Sequence, residues 1–196
     1  AGSGTLTIAA GATSQTVTVP VIGDVLDEAN DTFVVNLTAP VNATIADAQG
    51  VGTITDDDAT PTLAISNVRV TEGNTGSVNA VFTVTLSPAS GRAVNVNYAT
   101  ANGTAVAPGD YTTGSATLTF NAGTTSQTVT VPVIGDLSDE ANETFVVNLA
   151  TPVNATIADA QGLGTITDND AAPSLAITNV TVSGVPTSLS ALNTLV

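Results

Sequence analysis

Apolar and polar residues alternate in short runs along most of the chain, and turn residues separate the runs. In residues 127–134, Val129, Val131 and Val133 share one face while Thr128 and Thr130 take the other. That is the period of a strand with one face in a core. Comparable runs occupy residues 62–70, 78–86, 93–99, 116–120, 144–149 and 162–167. They stop at Glu72-Gly73-Asn74, at Pro88-Ala89-Ser90-Gly91 and at Asn121-Ala122-Gly123, which are turn formers. Residues 102–110, with Gly103, Pro108 and Gly109, read as a loop, and so do residues 152–162. Pro132 cannot donate to a ladder, so its strand belongs at an edge or carries a bulge. About seven strands in roughly 110 residues is the rhythm of an immunoglobulin-like sandwich. The expected fold class is all-β, built from antiparallel sandwiches.

The pattern also repeats. Residues 16–24 recur without change as residues 128–136, a displacement of 112 positions. At the same displacement, residues 32–37 recur as 144–149, residues 40–50 as 152–162, and Leu63-Ala64-Ile65 as Leu175-Ala176-Ile177. Roughly three-quarters of the overlap is identical. A period this long marks a tandem array of domains rather than a short solenoid unit. The expected boundaries are 1–58 for the later part of one unit, 59–170 for a complete unit, and 171–196 for the start of a third, degenerate one. The linkers, Asp56-Asp57-Asp58 and Asp168-Asn169-Asp170 with their following residues, are short, so neighbouring units should touch. The first residues show no signal-peptide pattern and begin within a unit. A piece cut from a longer array is the expected origin, with a natural filament subunit as the alternative.

Composition narrows the chemistry. Cys and His are both absent, which removes disulfides, thiol chemistry and the usual general base. A net charge of −15 with only two Lys+Arg speaks against nucleic acid as a partner. There is no apolar run long enough to insert in a membrane. No nucleophile–base pair or phosphate loop is present, so the chain is not expected to be an enzyme.

The 17 Asp+Glu are not scattered. Asp47 and Asp159 sit in Ala-Asp-Ala-Gln-Gly turns. The other acids gather in residues 24–31 and 136–143, in the two linkers, and at Glu72 and Asp110. Carboxylates this close repel unless a cation lies among them. With so few basic side chains, a hard cation held by oxygen ligands is expected, namely Ca2+. The plain alternative is a set of solvated turns.

Several of these residues resemble one family. Val70-Thr71-Glu72-Gly73, Gly103-Thr104-Ala105, Gly109-Asp110-Tyr111, the stretch from Gly135-Asp136 to Phe145, and residues 165–170 are similar to the Calx-beta domain. The resemblance implies a two-sheet sandwich with calcium held by loops at one end. Carried over by position, it implies Glu72, Asp110, Asp136, Glu140, Glu143, Asp168 and Asp170 as ligands, with the carbonyl of Ser138. In the first unit the matching positions are Asp24, Glu28, Asp31, Asp56, Asp57 and Asp58, with the carbonyl of Leu26. Gly135 and Gly23 stand where calcium-rich members have a further Asp, and Asn169 replaces the middle Asp of the linker triplet. Fewer ions, or weaker binding, are expected than in those members. Gly184 falls where the third unit should have Glu.

The functional expectation is a calcium-stabilised structural repeat in the stalk of an extracellular adhesin or filament on a bacterial cell surface. Its partners would be calcium and neighbouring repeats, or identical subunits head to tail. Two alternatives stand beside it. One is a calcium-sensing module like the family's exchanger members, in which calcium changes the angle between two domains. The other is a filament subunit completed by strand addition from a neighbouring chain.

Overall fold

A computed structural model describes residues 2–178, which include eleven strands and no helix. The expectation of a third unit within residues 171–196 falls largely outside the described residues. Two strands, β1 (Asp31–Asn36) and β2 (Gln49–Ile54), pair with each other early in the chain. The residues expected to form the complete unit contain β3 (Thr62–Ile65), β4 (Val68–Thr71), β5 (Ser77–Ser87), β6 (Val94–Asn102), β7 (Ser115–Phe120), β8 (Ser126–Ile134), β9 (Glu143–Val153), β10 (Thr156–Ile157) and β11 (Gln161–Thr167). They form one sheet in the order β10-β3-β5-β8 and a second in the order β4-β11-β9-β6-β7.

The alternating faces meet between the sheets. Val129, Val131 and Val133 of β8 are buried, together with Phe82, Val84, Val94, Val96, Phe120, Phe145 and Val147. Phe145 stacks on Tyr111 with ring centroids 4.7 Å apart and meets Phe82 edge-on at 5.8 Å. Gly164 makes room for that ring, since a Cβ there would lie 2.5 Å from it. Strand β8 lies at the edge of its sheet, and this is where Pro132 is tolerated.

Three expectations need correction. The run 62–70 is not one strand. It breaks at Ser66-Asn67, where β3 ends in one sheet and β4 begins in the other. Ser66 Oγ accepts from Thr83 N of β5 at 2.9 Å, and Asn67 Oδ1 accepts from Leu163 N of β11 at 2.7 Å. Two short polar side chains therefore tie the crossing to both sheets. The result is two parallel pairings, β3 with β10 and β4 with β11, in an otherwise antiparallel sandwich.

Second, residues 152–162 are not wholly loop, because β9 continues to Val153 and β10 follows. Third, residues 16–24 form no strand, although they copy β8 almost residue for residue. Strand β8 finds its ladder on β5. Among the described residues no strand pairs with this run, and Val17, Val19 and Val21 stay exposed. An alternating pattern specifies a face; the backbone still needs a partner.

Candidate metal centre

The parallel pairing of β4 with β11 sets Thr71 opposite Thr167. Both strands leave the sheet at the same end, so Glu72 arrives beside Asp168 and Asp170. The three offer carboxylate oxygens within 4.8 Å of one another. Glu72 is only 5% exposed. A second trio, Asp110, Glu140 and Glu143, meets the same criterion. Asp110 comes from the β6–β7 loop, Glu140 from the β8–β9 loop, and Glu143 opens β9.

Local hydrogen bonds hold these loops in place. Asp110 Oδ2 accepts from Val106 N at 2.6 Å, closing its own turn. Asp136 Oδ1 accepts from Ser138 N at 2.7 Å. Asn142 Oδ1 accepts from Asp168 N at 3.2 Å and ties the acidic loop to the linker. Asn169 Oδ1 accepts from Gly73 N at 2.8 Å, and Asn74 donates to Asp170 Oδ1. Gly135 lies against Gly73, where a Cβ would meet the Gly73 carbonyl at 2.1 Å. No Asp could stand at residue 135 without moving that turn.

The electrostatics follow from this crowding. Burial, then a shared hydrogen bond with Asp168, then the charges of Asp168, Asp136 and Glu140, push Glu72 up to about 7. Burial and contact with Asp110 raise Glu143, and the charge of Glu140 adds to this. Glu140 and Asp170 are raised as well, first by burial and then by their acidic neighbours. Asp136 acts on both trios, so they form one connected acidic end. Among the described residues the single ion pair is Arg92–Asp27, so no basic side chain offsets these charges. Asp170 Oδ2 and Thr167 Oγ1 are buried with no hydrogen-bond partner. An all-oxygen donor set with surplus charge and buried, unpartnered oxygens fits a hard divalent cation.

Of the positions carried over by resemblance, Glu72, Asp168, Asp170, Asp110, Glu140 and Glu143 meet in the two trios, and Asp136 borders both. Ser138 contributes its amide to the Asp136 turn. In the first unit, Asp24, Glu28, Asp31, Asp56, Asp57 and Asp58 line one cleft, and Leu26 is not among its lining residues. Leu26 N instead donates to Asp24 Oδ1 at 2.9 Å. Among the described residues these six acids do not form a trio as close as the other two. Asp58 is raised by burial, then by Asp56, Asp57, Asp24 and Asp27. Asp47 and Asp159 close turns onto Gln49 N and Gln161 N, as their placement suggested. Reading the acids alone missed Asn142, Asn169 and Asn74. Recurrence of the first as Asn30, whose Oδ1 accepts from Asp56 N at 2.9 Å, was the available signal.

The charge pattern predicts a pH response. Glu72 ordinarily titrates near 4.5 and is raised to about 7 in the fold. The folded state thus holds a proton that the unfolded state releases. Stability from this group is full below pH 4.5 and is lost as pH rises through about 7. In chelator, stability should fall between pH 5 and pH 7.5, Glu72 contributing a slope of up to about 1.4 kcal/mol per pH unit for its one proton and Glu143, also raised to about 7, adding its own. Glu72→Gln should remove its share of the slope and leave that of Glu143; an unchanged slope would show that Glu72 contributes nothing to it.

A Calx-beta domain family model matches residues 1–60 and 55–172. The chain belongs to the Calx-beta family, whose domains bind Ca2+. The sandwich is similar to the solved apo-form Calx CBD1 domain, at 23% identity and a TM-score of 0.50, covering 57% of this chain and 100% of that one. It is also similar to CBD12 from CALX1.2, at 23% identity and a TM-score of 0.52, over 56% of this chain and 46% of that one. The calcium binding domain CBD12 of CALX1.1 gives 25% identity and a TM-score of 0.50, over 55% of this chain and 46% of that one. The chain therefore spans less than half the length of the two CBD12 chains. Comparison with curated proteins gives no match.

Proposed function

We propose that this chain is part of a calcium-stiffened structural array, the stalk of an extracellular adhesin or filament on a bacterial surface. The observation that carries it is the placement of copied acids at the unit end that leads into the next unit. Asp168 and Asp170 belong both to a trio and to the linker that leaves β11. Calcium would be held by Glu72, Asp168 and Asp170, and by Asp110, Glu140 and Glu143. Its charge would relieve the repulsion that otherwise drives these loops apart. The linker would then be fixed to the end of the sandwich, and the unit beyond it with it. Near-identity of the units suits a stalk, which needs one joint made many times.

A calcium sensor is the second reading, supported by the likeness to a solved calcium binding domain pair. The two readings differ in the affinity they need: about 10⁻⁷–10⁻⁵ M for a sensor and about 10⁻⁴–10⁻³ M for an extracellular module. Calorimetric titration of the full chain separates them. Weak binding that narrows the spread of inter-unit distances in solution is expected for the array. Tight binding that moves the mean distance would overturn it in favour of the sensor.

A further inference from the structure

Asp27 stands in the middle of an exposed acidic loop, yet it is 4% exposed. What covers it is the β5–β6 turn of the complete unit. Asp27 forms a parallel bridge with Ser90. Its carbonyl accepts from Gly91 N at 3.1 Å and from Ser90 Oγ at 3.3 Å. Its Oδ2 accepts from Arg92 Nε at 3.1 Å and from Arg92 Nη2. Ser90 is itself buried, and its Oγ also accepts from Arg92 N at 3.1 Å. Gly91 has no room for a side chain, because a Cβ would lie 2.6 Å from Glu28. A buried carboxylate is tolerated only when it is paired and fully hydrogen-bonded. Here the pairing uses one of the two basic residues in the chain. The contact joins two units by main chain, hydroxyl and charge together.

The loop that makes this joint is copied. At a displacement of 112 positions, Asp27 becomes Asp139 and Glu28 becomes Glu140. The turn that shapes the first loop, Leu26 N onto Asp24 Oδ1, is repeated as Ser138 N onto Asp136 Oδ1. Asp139, unlike Asp27, is exposed, and among the described residues no basic side chain pairs with it. We infer that the Asp139 loop is a docking surface for the Ser90-Gly91-Arg92 turn of a following copy of the complete unit. A free cation would leave the main-chain acceptor of Asp139 unused. An arginine outside such a turn would lack the adjoining glycine amide and serine hydroxyl. The occupant that supplies all three is the turn already seen on Asp27. The inference rests on the array reading above and adds the surface through which successive units meet.

The test extends the chain: residues 171–196 are replaced by a second copy of residues 59–170. The protein has no cysteine, so Ser115→Cys in each copy takes one spin label per unit. Electron–electron distance measurement should give one narrow peak. Asp139→Ala should abolish the narrow peak, and so should Arg92→Ala in the added copy. The double variant should be no broader than either single one, since both remove one interaction. Asp139→Asn, which keeps the side chain's size, guards against a folding artefact, and the Arg92 variant reads the same joint from the other side. A broad peak in the parent, or a peak that ignores both substitutions, overturns the inference. Melting with calcium and with chelator is run beside it. A calcium-dependent midpoint without an ordered joint sinks this surface alone. An ordered joint without any calcium response sinks the calcium-stiffened reading alone.

Discussion

Adding calcium in place of chelator is expected to raise the unfolding midpoint of the full chain by roughly 5–10 °C. The estimate takes calcium at about 100 times a dissociation constant in the extracellular range, which stabilises a folded state that binds one ion by about 2.7 kcal/mol. For a chain of this size each kcal/mol moves the midpoint by roughly 2–4 °C. The physical source is the acidic end of the sandwich. Without a cation, Glu72 and Glu143 are pushed toward their protonated forms by burial and by Asp168 and Asp110 beside them. An ion held among the carboxylates displaces those protons, so binding should release protons near pH 7. Glu140→Ala with Asp168→Ala removes one member of each trio and should abolish most of the rise. A chain that melts at the same temperature in both conditions would reduce the acids to solvated turns, and the array reading would lose its calcium.

Much of this site could be read before the structure, and the reasons for the misses are physical. Alternation placed Val129, Val131 and Val133 in the core correctly, because a strand face is a local property with period two. It ran straight through Ser66-Asn67, although two consecutive polar residues there shift the inward positions from 63 and 65 to 68 and 70, and that slip of phase was the available sign of the switch between sheets. The contact between Glu72 and Asp168 depends on β4 lying parallel to β11, strands 96 residues apart at Glu72 and Asp168. No spacing rule reaches that far, and resemblance to the Calx-beta pattern supplied it. Residues 16–24 show the opposite limit. Their sequence is that of a buried strand, and they form none, since strand structure is a property of a pair. Asp27 and Arg92 carried no sequence signal at all. Only the docking of one unit on the next shows why that aspartate is buried.

Phe145→Ala is expected to cost about 3–5 kcal/mol, the range for removing a fully buried aromatic side chain. The ring is completely buried, stacked on Tyr111, edge-on to Phe82 and seated over Gly164. Its removal leaves a cavity whose walls belong to both sheets, so the surroundings cannot collapse into it cheaply. At the same roughly 2–4 °C per kcal/mol, the midpoint should drop by roughly 6–20 °C. The repeat supplies the control. Phe33 is the same residue in the same sequence, Thr-Phe-Val-Val-Asn-Leu, and its ring likewise sits over a glycine, Gly52. Phe33 is only half-buried, and among the described residues no aromatic ring packs on it as Tyr111 and Phe82 pack on Phe145. Phe33→Ala should therefore cost less than half as much. Equal losses would mean that the first unit packs its phenylalanine as tightly as the complete one does. A small loss at Phe145 would place the aromatic cluster outside the cooperative core. If the large loss falls at Phe145 alone, identical local sequence has been given unequal stability by what packs over it. The same calcium titration on Phe145→Ala then reports whether the acidic end needs that packing: Glu143 and Thr144 immediately precede the ring, and a weakened site in this variant would tie ion binding to the core beneath it.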